Sequence, residues 1–435
     1  MNNTEKSSSD VIENTDNTSG DNSEKQLVGS VIDIFLHRIL DIEDCAREFI
    51  PVAGKKYNDN AKNLKSTVIK CVESLKSDEN EATKAIAKRD FRKAIREIER
   101  HNNSSPIKTL EKSLFINLFA DFDKYVGDLI SILYHKQSGL YKNINGEIKL
   151  SDALEYESMD KLREAMLDKE IETLRRGSYI EQFKNLESKF SIKTLTDFDE
   201  WSKFIEMSQR RNLFTHCDGI VSKQYLESCE TAKFKFKEKL FIGDQLEIGD
   251  EYFFKSCQLI TEVAVMLGQT LWRKTIPKEL EEADEHLSNT IFYFLNMEQW
   301  SKAIRLSKFA LSLRKISTDM RERIFTINYA IALKATNKEN ELQKILAQKD
   351  WTATNYEFKL AYAILTDNYK DAHDLMKKIG KESEIINEMA YHDYPLFKDF
   401  RDSPEFLSGY EIIYEYKYCE KLSELAEEKK NELVQ

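Results

Sequence analysis

The chain reads as an all-α protein, and three observations carry that reading. Glycine occurs 13 times and proline 5 times in 435 residues, about 3% and 1% where averages lie near 7% and 5%, and β folds spend both residues on turns. Apolar residues recur at three- and four-residue spacing along most of the chain past Gln26, as in helices that bury one face. With 41% apolar and 32% charged residues, there is enough apolar material for real cores under a solvated surface.

Residues 1–26 are mostly Asn, Ser, Thr, Asp and Glu, with almost nothing to bury, and predict a disordered tail. From Leu27 the residues Val31, Ile34, Phe35, Ile39 and Ile42 predict a helix. A second helix is expected over about 60–76 and a third over about 80–101. The run His101 to Ser105 reads as a loop, with Pro106 suited to the first turn of the next helix. That helix, about 106–136, carries Leu110, Leu114, Leu118, Phe122, Tyr125, Leu129 and Leu133 on one face. Gly139 to Ser151 reads as a loop, followed by helices near 151–188 and 196–217. Asp218-Gly219 closes the last of these, Gly219 being able to take a left-handed cap. The stretch 233–250 alternates apolar and polar residues and contains two glycines, which predicts a short hairpin. A helix over about 250–274 and a boundary at Pro277 complete this part.

Past Pro277 the chain repeats itself. Trp300-Ser301-Lys302-Ala303 and Tyr369-Lys370-Asp371-Ala372 share an aromatic-x-x-Ala layout 69 positions apart, close to twice the 34-residue period of tetratricopeptide repeats. Asn328 to Leu333 supplies a middle unit, and Tyr394-Pro395-Leu396-Phe397 with Phe400 to Phe406 resembles the way such arrays close. The resemblance covers about 280–415 and implies an array of helical hairpins offering a groove to a protein partner or trigger.

Several chemistries are excluded or unsupported. No GxGxxG, GxxxxGK[ST] or HExxH occurs, and the seven histidines are dispersed, so neither a phosphate-cradling glycine loop nor a metal cluster is expected. Six cysteines without a CxxC pair suggest reduced thiols in a cytoplasmic protein. No apolar run approaches the 18 or so residues of a membrane span, and the polar N-terminus argues against a signal peptide. The net charge of −11 directs any nucleic acid to a local patch.

One stretch stands out, Gln209-Arg210-Arg211-Asn212-Leu213-Phe214-Thr215-His216-Cys217-Asp218-Gly219, at the end of a helix defined by Trp201, Phe204 and Ile205. Metal-free RNA cleavage needs a base for the 2′-hydroxyl, an acid for the leaving 5′-oxygen, and positive charge for the transition state. His216 can serve as base or acid near neutral pH, and Arg211 presents a planar fork to phosphate oxygens. Asn212 lies four residues before His216, on the same helix face, whereas Arg211 sits about 140° round the helix from His216. One imidazole does not easily act as acid and base at once, which two facing copies would resolve.

Arg-Asn-x-x-x-His resembles the motif of HEPN-domain ribonucleases: Arg, a polar residue, then His. Phe119-Ala120-Asp121-Phe122-Asp123-Lys124-Tyr125 is similar to an acidic stretch on an earlier HEPN helix, and Gly219, Tyr225-Leu226, Gly243 and Tyr252-Phe253 look like the tail of larger bacterial HEPN domains. The resemblance spans about 105–275. It implies a metal-independent endoribonuclease of the bacterial defence or toxin kind, without cofactor, paired as a homodimer and leaving 2′,3′-cyclic phosphate ends. Arg211, Asn212 and His216 would be catalytic, with Asp123 holding Arg211 and Arg210 in support. Arg96 and His101 share the Arg211–His216 spacing, but Glu97 and a loop follow, so they read as a solvated helix end.

Lys84, Lys88, Arg92, Arg96 and Arg100 form an i, i+4 stripe opposite Ala87, Phe91, Ala94, Ile95 and Ile98. Like charges at that spacing cost a few tenths of a kcal/mol each. Such a stripe can lie along an RNA backbone, or be a solvated face neutralised by Asp90, Glu97 and Glu99. The expected organisation is thus a tail (1–26), an N-terminal helical segment (27–104), a HEPN-like bundle (105–276) and a tetratricopeptide-like array (277–435). The competing reading is a non-enzymatic adaptor that dimerises and binds RNA or a partner protein.

Overall fold

Helix α1 (Val28–Lys76) runs 49 residues without a break. The computed structural model describes residues 27–77, 80–144, 147–383 and 385–434; the tail expected over 1–26 lies outside the described residues. The two helices expected before and after residue 60 are thus one, with Pro51 inside it. Proline removes one backbone donor and crowds the carbonyl four residues back, here that of Arg47. Both residues are exposed, so water can satisfy the freed carbonyl and the helix continues.

Val31, Ile32, Phe35, Ile39 and Ile42 bury the first half of α1. Along its second half α2 (Glu81–Asn102) folds back, opened by Asn80, whose side chain accepts from Thr83 N at 2.9 Å. Cys71, Ala87 and Ala94 are the buried residues of this two-helix arm. A clasp closes its base: the Tyr57 and His101 rings stack with centroids 3.8 Å apart, and Tyr57 Oη donates to the His101 carbonyl at 2.7 Å. His101 is therefore a packing residue, half-buried, rather than a solvated helix end.

Helix α3 (Pro106–Lys136) starts with its proline in the first turn and buries Phe115, Phe119, Phe122, Tyr125 and Leu129. After a short helical turn and α4 (Leu150–Ala153), α5 (Met159–Arg176) and α6 (Tyr179–Phe190) are joined by only Gly177 and Ser178. Helix α7 (Trp201–His216), α8 (Lys223–Thr231) and α9 (Asp250–Thr275) complete this part. The hairpin expected within 233–250 does not form. Its residues pair instead with the segment just past α7: Val221 N donates to Asp244 O at 2.8 Å and Leu246 N to Gly219 O at 2.9 Å. The alternation there reflects Leu246 and Ile248 turning into the core.

Helical hairpins follow Pro277. They are α10 (Leu280–Asn296) with α11 (Trp300–Ser312), α12 (Asp319–Ala335) with α13 (Glu339–Leu346), and α14 (Tyr356–Leu365) with α15 (Tyr369–Ile379). Helices α16 (Glu388–Asp393), α17 (Pro404–Tyr414) and α18 (Tyr418–Val434) end the chain. Ala303 and Ala372, the alanines of the repeated layout, are fully buried; a small residue there lets paired helices approach closely.

The protein is all-α: among the described residues no strand occurs, only an isolated bridge between Ile220 and Gln245. No described helix is long and apolar enough to cross a membrane. The sequence boundaries at 104 and 277 do not separate cores. One apolar cluster extends from Val28 to Tyr414, because α9 is buried round most of its circumference, packing on α1 and α3 as well as on α10 and α11. Ion pairs cross the same seam: the buried pairs Lys302 with Glu43 at 2.7 Å and Arg273 with Asp284 at 2.6 Å, and the half-buried Arg305 with Glu262 at 2.9 Å.

Candidate functional site

Three helices position Arg211. Its own helix α7 packs by Phe204, Ile205, Met207 and Leu213 into the core, which turns residue 211 toward α3 and the start of α6. There Tyr179 is the first residue of α6, fixed by a capping box in which Ser178 N donates to Glu181 Oε2 at 2.8 Å and Glu181 N donates to Ser178 Oγ at 3.3 Å. Reciprocal bonding of this kind sets the entry of a helix, and here it aims the Tyr179 hydroxyl between Asp123 and Arg211.

The resulting cluster is continuous. Tyr179 Oη donates to Asp123 Oδ1 at 2.6 Å, Arg211 Nη2 donates to Tyr179 Oη at 3.2 Å, and Arg211 Nη2 lies 3.7 Å from Asp123 Oδ2. The guanidinium also lies over the rings of Phe119 and Tyr179, at 5.1 and 5.8 Å from their centroids. A second cation, Arg175, donates from Nε to the Asp123 carbonyl at 3.0 Å, passing over Gly127, where any Cβ would collide with it. Burial pushes the Asp123 carboxyl up, against the opposing pull of the Tyr179 hydrogen bond and the Arg211 charge. Burial likewise pushes the Tyr179 hydroxyl far up, aided by the Asp123 charge, so it stays a donor. Arg211 Nε is buried without an acceptor, yet 23% of the side chain remains open to an approaching anion.

His216 is the last residue of α7 and is exposed. Its backbone neighbourhood is tightly pinned. Cys217 N and Gly219 N both donate to Leu213 O, at 2.7 and 3.1 Å, and Gly219 takes φ +84° where Phe214 and Gln245 leave no room for a Cβ. Lys112 Nζ bonds Asp218 Oδ1 at 2.7 Å and holds that carboxyl below the usual range, and Gln245 Nε2 donates to the Asp218 carbonyl at 2.7 Å. Among the described residues the ring has no hydrogen bond, ion pair or ring contact, and neither has the half-buried Asn212 side chain a hydrogen bond. The structure thus brings Asp123 and Arg211 together and leaves Asn212 and His216 outside that cluster, at the open end of the same helix.

Arg210 belongs elsewhere. Its Nε donates to Glu206 Oε1 at 2.8 Å and its guanidinium lies 3.9 Å from the centroid of the Tyr252 ring. The hydroxyls of Tyr225 and Tyr252 donate to the same buried carboxylate at 2.7 and 2.9 Å. This closed network fastens α7 to α8 and α9 and does not reach Arg211. Sequence reading missed Tyr179, Arg175 and Glu206. The Ser178-x-x-Glu181 pattern marks the start of α6, and Glu206 four residues before Arg210 is a visible i, i+4 pair, but neither says what lies opposite.

A cavity of about 760 Å³ lies between the loop 191–198, α9 and the end of α11, and neither it nor two others of about 660 and 640 Å³ is lined by Arg211, Asn212 or His216. Among the described residues no three His, Cys, Asp or Glu side chains converge as a metal site. No family model matches the chain, and comparison with curated proteins and with solved structures gives no match.

Proposed function

We propose that the protein is an endoribonuclease of the HEPN kind, acting in defence or as a toxin without a metal ion. The observation that carries the reading is a half-open arginine, held by Tyr179 and Asp123, on the same helix whose pinned end presents an unengaged histidine. In the reaction, the 2′-oxygen attacks the adjacent phosphorus and the bond to the 5′-oxygen breaks. A base takes the 2′-hydroxyl proton and an acid returns a proton to the 5′-oxygen, leaving a 2′,3′-cyclic phosphate. Arg211 supplies charge to the phosphoryl oxygens and His216 the proton transfer. A second copy supplies the second imidazole. Ile220, Phe241 and Ile242 are exposed on the two segments that meet just past His216, an apolar face on which that copy would dock.

The test is RNA cleavage by the full chain in EDTA. His216→Ala and Arg211→Ala should each lose roughly 10²- to 10⁴-fold, the usual worth of a general acid or base, and subunit mixing should depress activity beyond dilution. Cleavage that needs added Mg²⁺, or survives in His216→Ala, overturns the proposal. The engagement of Arg211 by Tyr179 and Asp123 also favours a second reading, a non-catalytic module in which the arginine is purely structural. Then Arg211→Ala lowers the melting temperature while wild type cuts nothing.

A further inference from the structure

The α1–α2 arm carries a strongly basic surface in an acidic protein. Residues 47–102 hold fourteen Lys and Arg against nine Asp and Glu, while the whole chain carries a net −11. The arm packs its apolar side on itself, through Cys71, Ala87 and Ala94, and its ion pairs are internal: Lys62 with Asp59, Arg89 with Asp90, and Lys93 with Glu97. These pairs decide between the two sequence readings of the stripe. Asp90 and Glu97 are turned to Arg89 and Lys93, and among the described residues none of Lys84, Lys88, Arg92, Arg96 and Arg100 has a carboxylate in ion-pair contact. Lys84 is half-buried at the flank of the α1 contact, whereas Lys88, Arg92, Arg96 and Arg100 are exposed.

We infer that the outer face of α2 is a docking surface for double-helical RNA, contacted through its phosphates. From Lys84 to Arg100 the row is about 24 Å long, with a cation at every 6 Å or so of a straight, braced helix. Three properties select a duplex backbone. The row is regular and rigid, which suits a fixed ladder of charges. It carries no exposed aromatic, whereas single-strand binders stack bases on such side chains. Most of its apolar side is used against α1, and of the large apolar residues of α2 only Ile86 is exposed, too little to seat in a bilayer as a membrane-bound amphipathic helix must. Double-helical RNA is held by shape and phosphate contacts, without base readout. That the duplex is RNA rests on the nuclease reading; that it is a duplex rests on the arm alone.

The experiment measures binding of a labelled 24-base-pair RNA duplex to full-length His216→Ala protein, in which cleavage is removed. It is compared with the same protein carrying Lys88→Ala, Arg92→Ala, Arg96→Ala and Arg100→Ala. All four side chains are exposed, and circular dichroism checks the fold; Arg96→Ala alone serves if the fourfold variant misfolds. Each phosphate contact contributes about 0.9 to the slope of log affinity against log salt. The fourfold variant should therefore have a slope shallower by about 3 to 4, and the single variant by about 1. An unchanged slope overturns the proposal. So does tighter binding to the single strand, equal binding to duplex DNA of the same sequence, or arm-dependent binding to phosphatidylserine vesicles with none to RNA. Failure of cleavage in wild type with arm-dependent duplex binding intact would remove the nuclease reading and leave the arm.

Discussion

Replacing Lys302 by methionine tests how tightly the two parts of the chain are joined. Lys302 Nζ bonds Glu43 Oε1 at 2.7 Å, both side chains are 7% exposed, and the partners lie 259 residues apart. Methionine keeps most of the volume and removes the charge, so Glu43 is left buried and uncompensated. Breaking a buried pair from one side costs about 3–5 kcal/mol, whereas replacing both partners by apolar groups is often neutral or better. Glu43→Leu leaves the ammonium near the Phe294 ring, 5.3 Å from its centroid, and a cation–π contact of about 1–2 kcal/mol softens the loss. The single costs should therefore be unequal, Lys302→Met the larger, and the double variant should recover most of both. Urea unfolding of the four proteins reads this as a double-mutant cycle with a coupling well above the roughly 0.5 kcal/mol of independent sites. Additive costs, or a Lys302→Met penalty below about 1 kcal/mol, would refute the claim that this pair is desolvated.

Two further outcomes follow from geometry. Because burial raises the Asp123 carboxyl, its protonated form is favoured in the folded state. The contribution is then fully present below about pH 4, the unfolded value, and is lost as pH rises through the raised one. The melting temperature of wild type minus that of Asp123→Asn should fall as pH rises from about 3.5 to 6.5; a rising difference would mean that the Arg211 and Tyr179 contacts outweigh burial. At Gly268 a Cβ would sit 2.4 Å from Tyr125 Oη and 2.9 Å from Ile32, and Tyr125 Oη donates to Ala264 O at 2.7 Å. Alanine gains about 1 kcal/mol of helix propensity, but overpacking costs about 1–3 kcal/mol and the tyrosine bond about 1 more. Gly268→Ala should lower the melting temperature, and an increase would show that the crossing of α1, α3 and α9 is looser than drawn.

What could be read from the sequence was whatever is local. The scarcity of glycine and proline gave the fold class, and Pro106 and Gly219 sit where a helix start and a helix end need them. Periodicity reports that a face is buried, but not against what. Tyr179 meets Asp123 across 56 residues and Lys302 meets Glu43 across 259, and nothing in a window of twenty residues encodes either. The split expected near residue 60 was absent for a related reason: a proline inside a helix is tolerated where the carbonyl it frees is exposed, as at Pro51 and Arg47. The alternating run 233–250 was read as pairing with itself because its nearest partner in sequence is itself, whereas its partner in space is the short segment 219–221.

Under the proposed reading, the shared core also bears on how the nuclease would be restrained. A tethered array could lift away from a nuclease body and expose it, but here the hairpins share one apolar cluster with the rest. Helix α9 is covered on one side by α1 and α3 and on the other by α10 and α11. Separating them would strand Glu43, Arg273 and Glu262 without their partners, each a buried charge costing several kcal/mol. A regulator bound on the hairpins would then act by covering the end of α7 directly, by shifting α9, or through the Arg305–Glu200 pair that joins α11 to the start of α7. Helix α9 touches both parts: its Tyr252 hydroxyl bonds Glu206 on α7, and its Glu262 bonds Arg305 on α11. It is one route between the two parts, beside the direct pairs Arg305–Glu200 at the start of α7 and Lys302–Glu43 on α1.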